Sequence, residues 1–397
     1  METAACGLEV EITEVESEKH DDYCSLTARV KMKRRSRVAQ VYYHFPAHLA
    51  DWLNVSADPF IAAFLPISMV LKEPLVVSAP GSKKLIEALP QIMKVYHSWN
   101  PRFQFIPVEV TQTEKRTSRS DKVALFFSGG LDSFYTLSKL TNQSPQNGIP
   151  THLVFVHGFD IALQNMALFN KAFSAVKDVA DNLNREMVVV STNVRDISKS
   201  IVHWLLYYGA ATVSIAHCLG GLFRTVYLAS DQNPVNVYPQ GFHPDLDPLW
   251  SSETTSFIHY GAEANRVQKT REIADWPLAQ QHLRVCWENR AGAYNCCRCR
   301  KCVMTMIQLH MTGKLEKFMT FPLPLTTEAV RRVRPSRTMS YLESNLAELR
   351  KSGEEDLADA LAHAMRIGRI TIHFQRLFRR FVSTGRWLAN GCYPANP

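Results

Sequence analysis

Residues 122–140 read KVALFFSGGLDSFYTLSKL, and this stretch decides the fold class of the chain. Val123–Phe127 is a short apolar run of β-branched and aromatic residues, which predicts a buried strand. The sequence SGG follows at 128–130, and apolar side chains then recur at helical spacing over residues 134–140. The stretch therefore predicts a strand, a glycine-rich turn and the N-terminus of a helix.

The turn has the composition of an anion-binding loop. Gly129 and Gly130 let the backbone approach a ligand that a Cβ atom would keep away. The free N–H groups and the dipole of the following helix favour phosphate, and the hydroxyls of Ser128 and Ser133 add donors. Asp132 would repel phosphate unless a cation lay between them, so the motif also indicates Mg²⁺. The structural alternative is an ordinary Gly-Gly turn between a strand and a helix.

The motif SGGLDS resembles the PP-loop of the N-type ATP pyrophosphatases, also called adenine nucleotide alpha hydrolases. No GKS or GKT sequence follows it, so it does not match the P-loop of kinases and GTPases. The resemblance implies that ATP is cleaved between its α and β phosphates and that the substrate becomes an adenylate. It assigns the binding of ATP to Ser128, Gly129, Gly130, Leu131, Asp132 and Ser133.

Predicted strands and helices alternate over residues 122–230, which indicates an α/β domain with a parallel, Rossmann-like (HUP-type) sheet. Ligands bind at the carboxyl ends of the strands in such sheets. His157 and Asp160 lie at the end of the second strand of the series, so we expect them near the nucleotide; the PP-loop resemblance implies that this position borders the adenosine. The alternative is that they are turn residues. Two separate helices are predicted at Ile197–Tyr208 and Ala210–Leu222.

Residues 1–117 carry no chemical motif and predict a small N-terminal α+β domain. Alternating stretches such as Ser25–Met32 are typical of antiparallel strands with one solvated face. We expect this domain to pack on the catalytic domain or to form a homodimer. The polar stretch Thr111–Asp121 is predicted to be a linker, so the ATP-binding domain is expected to span residues 122–320.

The long polar loop Pro239–Glu253 is the best candidate for substrate recognition, because loops of this length in α/β domains are usually functional or disordered. Trp250 argues against disorder. The alternative is a structural Ω-loop that is pinned by its own aromatic side chains. Further along, Lys269 and Arg271 lie on the predicted helix Arg266–Ile273 and would reach phosphate if that helix began near the site. The candidate substrate-binding residues of the loop are His243, Asp247, Ser251 and Ser252.

Five of the nine cysteines lie within residues 286–302. Such clustering in a chain with no predicted signal peptide favours metal binding over disulfides. Cys296, Cys299 and Cys302 form a CxxCxxC pattern, and Cys286 supplies a fourth thiolate. Four thiolates suit tetrahedral Zn²⁺ and leave no open position for catalysis, which indicates a structural site. Cys297 in place of Cys296 and an iron–sulfur cluster are the alternatives.

The glycine-rich motif and the downstream cysteines together resemble the 7-cyano-7-deazaguanine synthase family over about Lys122 to Gly313. The resemblance implies an ATP-dependent C–N ligase that activates 7-carboxy-7-deazaguanine or a related acid. It implies ammonia or another amine as the second substrate, and zinc at the four cysteines. It also assigns catalytic roles to Asp132 and Lys269.

Two segments depart from that family. Residues 157–160 (HGFD) and 247–252 (DPLWSS) differ from its corresponding motifs, and the chain has additional segments at both ends. The layout is closer to the synthase-like proteins of antiviral defence operons and biosynthetic clusters. We therefore expect an amide, a nitrile or a conjugate with a protein acceptor as the product.

Residues 321–397 predict a helical, basic C-terminal extension. Arginines alternate with apolar residues between Arg366 and Arg386, where no acidic residue occurs. A basic amphipathic helix of this kind would bind RNA, an acidic partner or a membrane surface. The alternative is a packing helix whose arginines face solvent.

The length suits two domains, or one large domain with appendages, and the composition supports a full hydrophobic core. The chain has 397 residues, 46% of them hydrophobic, and a formal net charge of +8, which fits a nucleotide partner. No apolar run reaches the roughly 18 residues of a membrane helix. The acidic N-terminal stretch is not typical of a signal peptide, so a cytoplasmic location is expected. A PP-loop sulfur-transfer or tRNA-modifying enzyme and a non-catalytic nucleotide-binding scaffold are the alternative functions.

Overall fold

A computed structural model describes residues 9–115, 117, 120–142, 148–232, 237–333 and 340–370. The chain divides into two compact units, Met1–Trp287 and Glu288–Pro397.

The first unit is built on a mostly parallel sheet of ten strands. The described strands are β1 (Val10–Lys19), β2 (Tyr23–Met32), β3 (Arg37–Pro46), β4 (Leu75–Val77), β5 (Gly81–Ser82), β6 (Val108–Val110), β7 (Thr113–Glu114), β8 (Lys122–Phe126), β9 (His152–His157), β10 (Glu186–Thr192), β11 (Phe223–Ala229) and β12 (Ser256–Tyr260). The order in the large sheet is β12-β11-β8-β9-β10-β3-β2-β1-β4-β6, and β5 pairs with β7 separately. Strands β8 to β12 are parallel to one another, whereas β1, β2 and β3 form an antiparallel meander.

Helices cover this sheet, as expected for an α/β fold. Those of the first unit are α1 (Asp58–Leu71), α2 (Lys83–Trp99), α3 (Leu131–Asn142), α4 (Met166–Asn182), α5 (Val194–Ser198), α6 (Trp204–Cys218), α7 (Arg266–Ile273) and α8 (Pro277–His282). Helices α1 and α6 are buried over almost their whole length, because both lie in the apolar core on the sheet. The Tyr207 hydroxyl of α6 donates a hydrogen bond to the Ala63 carbonyl of α1 at 2.9 Å.

Strands from both sides of the predicted domain boundary at residue 117 belong to the same sheet. Strand β10 pairs antiparallel with β3, with Ser191 opposite His44 and Thr192 opposite Tyr43. One apolar core also extends from Val10 on β1 to Phe257 on β12. The N-terminal strands therefore complete the central sheet rather than forming a sheet of their own. The functional division into three domains stays a prediction.

Two local predictions were wrong. The two helices expected at 197–208 and 210–222 are instead the short α5 and the single helix α6, because the chain leaves the helical conformation at 199–203. His203 caps α6, since its Nδ1 atom accepts the backbone N–H of Leu205 at 3.2 Å. Strand β12 was missed; it pairs parallel with β11 at the edge of the large sheet.

The second unit contains α9 (Arg300–Met311), α10 (Thr327–Arg331), α11 (Ser340–Lys351) and α12 (residues 355–370). Apolar side chains of these helices form a core of their own that includes Ile307 and Leu361. Most of the arginine-rich segment that was predicted to be an amphipathic helix lies outside the described residues, which end at 370. In the part of the chain that is described, no helix has the length and apolar character needed to cross a membrane.

Candidate functional site

The glycine-rich turn connects β8 to α3 at the carboxyl end of a central parallel strand. Gly129 has a φ of +71°, a conformation that disfavours residues with a Cβ atom. The turn is held from both sides: the Ser128 hydroxyl accepts the Gly130 N–H at 3.3 Å, and the Gly129 carbonyl accepts the Arg284 N–H at 2.8 Å. The Ser133 hydroxyl donates to the Gly130 carbonyl at 3.0 Å. The sequence thus forms the predicted strand, turn and helix.

Asp132, in the first turn of α3, lies between two cations of α7. Arg266 Nη1 donates to Asp132 Oδ2 at 2.6 Å, and Lys269 Nζ lies 3.3 Å from Asp132 Oδ1. The two cations are three positions apart on one helix, so their side chains reach the same place. Asp132 and Lys269 were each predicted to be catalytic, which stays a prediction, and the structure places them in contact. Arg266 was missed, although its spacing from Lys269 was visible in the sequence.

Lys269 is fully buried and its ammonium group is held by oxygen and aromatic neighbours. Its Nζ atom donates to the Ser230 carbonyl, which directly follows β11, and lies 5.5 Å from the centre of the Tyr135 ring. Burial of a cation is costly unless it is paired and hydrogen-bonded. This arrangement therefore fixes the position of Lys269 beside the glycine-rich turn. By contrast, Arg271 of the same helix is exposed.

The position of α7 is itself determined by local contacts. Asn265 and Gln268 form a capping box at the start of the helix. The Tyr135 hydroxyl of α3 donates to Glu263, just before α7, at 2.7 Å. Burial, followed by the nearby Glu263 carboxylate, raises the pKa of Tyr135 well above its ordinary value, so this hydroxyl stays a donor. Helices α3 and α7 are thus held together at the candidate site.

The cluster has the electrostatic character of an anion site. Arg266 and Lys269 carry two positive charges and Asp132 carries one negative charge, so one positive charge is left over. This surplus lies beside the N-terminus of α3, where backbone N–H groups also favour negative charge. A surplus positive charge beside a helix N-terminus is an environment that favours an anionic group.

His157 and Asp160 make a different set of contacts. The His157 ring stacks on Phe169 with 4.0 Å between the ring centres, and its Nδ1 atom lies 3.4 Å from the Ser191 hydroxyl. Burial lowers the pKa of His157. Asp160 lies 3.8 Å from Arg195, at the carboxyl end of the neighbouring strands. Their role in binding adenosine stays a prediction.

The loop Pro239–Glu253 is fixed to the body of the first unit by a close backbone crossing. A Cβ atom on Gly209 of α6 would lie 1.9 Å from the Gly241 carbonyl oxygen, so only glycine fits there. Trp250 is completely buried, and its carbonyl accepts a hydrogen bond from His217 Nε2 at 3.0 Å. The glycine crossing and the burial of Trp250 thus fix the loop to the first unit.

The four predicted substrate-binding residues of this loop are all buried. The two Asp247 carboxylate oxygens bind the His243 backbone N–H at 3.1 Å and His259 Nδ1 at 2.7 Å. The Ser251 hydroxyl accepts the Phe257 N–H at 3.1 Å, and the Ser252 hydroxyl accepts the Thr255 N–H at 3.2 Å. The two serines therefore stabilise the turn that leads into β12. Direct contact of the four residues with a substrate stays a prediction.

Cys286, Cys296, Cys299 and Cys302 form a buried cluster that can hold a metal ion such as zinc. Their sulfur atoms all lie within 4.8 Å of one another, and the Sγ atoms of Cys296 and Cys302 are 4.0 Å apart. Tetrahedral Zn²⁺ with thiolate ligands needs sulfur atoms about 3.8 Å apart. The donor set and its spacing therefore fit the metal that the sequence predicts.

Backbone groups support the thiolates. The Cys299 N–H points to Cys296 Sγ at 3.2 Å, and the Cys302 N–H points to Cys299 Sγ at 3.4 Å. Cys299 is the N-cap of α9, whose positive helix end favours negative sulfur. Cys297 lies outside the ligand set and adopts a φ of +53° in the turn between two ligands.

No protein-family model, no curated protein and no solved structure matches the chain.

Proposed function

We propose that this chain is an ATP-dependent ligase that activates a carboxylate as an acyl-adenylate, releases pyrophosphate and transfers the acyl group to an amine. The observation that carries the proposal is the cluster of Asp132, Arg266 and Lys269 beside a glycine-rich turn. The turn lies at the carboxyl end of a parallel strand, where α/β folds bind their ligands.

Each group of the cluster has a role in this reaction. The backbone N–H groups at the start of α3 bind phosphate oxygens, and Lys269 and Arg266 balance the charge that grows as pyrophosphate leaves. Asp132 is the residue that would hold Mg²⁺ on the nucleotide. Bound Mg²⁺ would supply charge neutralisation on the polyphosphate. The side chains of Lys269 and Arg266 are in place before the nucleotide arrives, which lowers the entropic cost of positioning them.

The acid is 7-carboxy-7-deazaguanine or a related carboxylate, on the basis of the resemblance in the PP-loop and the cysteine set. One round of activation and attack by ammonia gives an amide, and a second activation with loss of water gives a nitrile. An amine of a protein acceptor gives a conjugate instead. The divergent loop Pro239–Glu253 is the segment in which we expect the choice of substrate to be made.

Zinc at the four cysteines is proposed to have a structural role. All four ligands come from the protein, so no coordination position is open to a substrate. The buried Cys299 and Cys302 belong to the start of α9, and the metal would hold this helix end to the preceding segment. We expect the metal to contribute to folding rather than to the chemical step.

The described cysteines outside the cluster do not favour a sulfur-transfer enzyme. Cys24, Cys218 and Cys297 are buried, and burial raises the pKa of the Cys24 and Cys218 thiols. A reactive thiolate needs the opposite environment, with a lowered pKa and access to solvent. Cys392 lies outside the described residues.

The experiment is to incubate the purified chain with Mg²⁺, ATP and 7-carboxy-7-deazaguanine, with and without ammonium chloride. Formation of AMP and pyrophosphate that depends on the acid supports the proposal, and ADP as the nucleotide product contradicts it. Asp132→Asn keeps the size of the side chain but removes the charge, and it should abolish AMP formation. Nucleotide binding without turnover in the wild-type chain would instead indicate a scaffold.

A further inference from the structure

A carboxylate and an imidazole form a buried pair that the reaction described above does not use. Asp247 Oδ2 accepts the Nδ1–H of His259 at 2.7 Å. The other carboxylate oxygen accepts the His243 backbone N–H at 3.1 Å. A carboxylate can only accept hydrogen bonds, so this contact places the ring hydrogen of neutral His259 on Nδ1 and leaves a lone pair on Nε2.

That lone pair has no protein partner within the ranges that the structure describes. The His259 side chain is only 5% exposed and that of Asp247 is 0% exposed, so bulk water does not solvate the pair. Two other buried polar atoms of the adjacent loop, Gln240 Oε1 and Trp250 Nε1, also lack a partner among the described residues. Buried polar atoms without partners are rare and point to a ligand or an ordered water that they bind.

His259 lies at the same edge of the sheet as the anion-binding cluster. It is the last residue but one of β12, and the next residue, Tyr260, accepts the Ser230 N–H through its carbonyl at 2.8 Å. The carbonyl of that same Ser230 holds the ammonium group of Lys269. Ser230 thus connects the end of β12 to Lys269, and both His259 and the cluster lie toward the carboxyl ends of the parallel strands.

Several titratable groups surround the Asp247–His259 pair. The titratable groups that act on Asp247 are His259 itself, Asp231, and the hydroxyls of Tyr96 and Tyr208. Burial raises the pKa of Asp247, and the hydrogen bond from His259 lowers it. His243 and Asp245 lie on the side of the pair that faces the loop Pro239–Glu253, and burial lowers the pKa of His243.

We propose that His259 is the base that receives the proton of the attacking amine; this inference rests on the proposed function. The amine nitrogen attacks the carbonyl carbon of the acyl-adenylate, and a C–N bond forms. The bond from that carbon to the phosphate oxygen breaks, and AMP leaves with the electron pair. A proton of the amine passes to His259 Nε2, and Asp247 stabilises the resulting imidazolium and holds the ring in this tautomer.

The test separates the two half-reactions. Exchange of labelled pyrophosphate into ATP, in the presence of 7-carboxy-7-deazaguanine and the absence of amine, reports formation of the adenylate. Addition of ammonium chloride and detection of the amide by mass spectrometry report the second half. The variant His259→Asn keeps a donor for Asp247 but has no nitrogen at the Nε2 position. His48→Asn, at a largely exposed histidine, is the matched control.

We expect His259→Asn to keep pyrophosphate exchange within about threefold of the wild type. Amide formation should fall roughly 10²- to 10⁴-fold, and the part of its pH profile that reports the base should disappear. Equal losses in both half-reactions would show a merely structural role and overturn the proposal, and so would unchanged amide formation.

A spectroscopic measurement tests the tautomer of His259 in the pair even if the proposed function is wrong. Absence of exchange in the wild-type chain would refute the proposed activation of this acid. ¹⁵N NMR of labelled histidines then decides the pair by itself, because the two tautomers have different nitrogen shifts. A neutral His259 protonated at Nδ1 supports the oriented dyad, and protonation at Nε2 overturns it.

Discussion

Replacement of Lys269 by methionine is the sharpest test of the anion-binding cluster. The variant Lys269→Met keeps the length and apolar stem of a fully buried side chain and removes its charge. At the 3.3 Å between Nζ and Asp132 Oδ1, two unit charges attract by about 5 kcal/mol at an effective dielectric constant of about 20. The cost of burying the ammonium group offsets most of this energy. Arg266 still neutralises Asp132 in the variant, so we expect the stability to change by no more than about 2 kcal/mol.

Binding of the nucleotide should change much more. A phosphate oxygen about 4 Å from Nζ gains about 4 kcal/mol from this charge at the same dielectric constant. Part of the gain is lost, because Lys269 must weaken its contact with Asp132. A net loss of about 2–3 kcal/mol corresponds to a roughly 30- to 150-fold weaker dissociation constant.

The assay is titration calorimetry with Mg²⁺ and α,β-methylene ATP, which is not cleaved between its first two phosphates. Arg271→Met is the matched control, because Arg271 lies on the same helix but is exposed; its affinity should stay within about threefold of the wild type. Urea unfolding checks that each variant is folded. A folded Lys269→Met chain that binds as tightly as the Arg271→Met chain would refute the assignment of the site.

Three further outcomes are expected. Cys299→Ser should lose the bound zinc in metal analysis and unfold more easily, whereas Cys297→Ser should keep one zinc per chain; equal loss in both would contradict the ligand set. Burial lowers the pKa of His157, so the unfolded chain binds its proton first and stability should fall as the pH drops below about 6.5, by at most about 1.4 kcal/mol per pH unit for this group. His157→Phe should make the decline measured by urea unfolding between pH 7.5 and 5.5 shallower, and an identical decline would contradict this source. Gly209→Ala should displace the loop Pro239–Glu253 and lower the melting temperature, because the added Cβ would lie 1.9 Å from the Gly241 carbonyl oxygen. A melting temperature equal to that of the wild type would contradict this close backbone crossing.

The sequence by itself determined the local elements and the chemistry of two motifs. The helix Arg266–Ile273 has the predicted bounds, and the predicted strand, turn and helix form within residues 122–142. Their periodicity, caps and composition lie within a few turns of chain, so the information is local. The CxxCxxC pattern with Cys286 likewise identified the residues of the four-cysteine cluster, since its spacing is a property of one short segment.

Only the tertiary structure decided which of these local pieces meet. Asp132 and Arg266 are 134 residues apart in sequence, and their contact depends on the packing of α3 against α7. The pairing of β3 with β10 depends on the same kind of long-range packing. Many partners of suitable polarity exist in a chain of this length, and hydrogen-bonding and burial together select among them. The residue types indicate which chemistry is available, and the fold decides which groups are close enough to perform it.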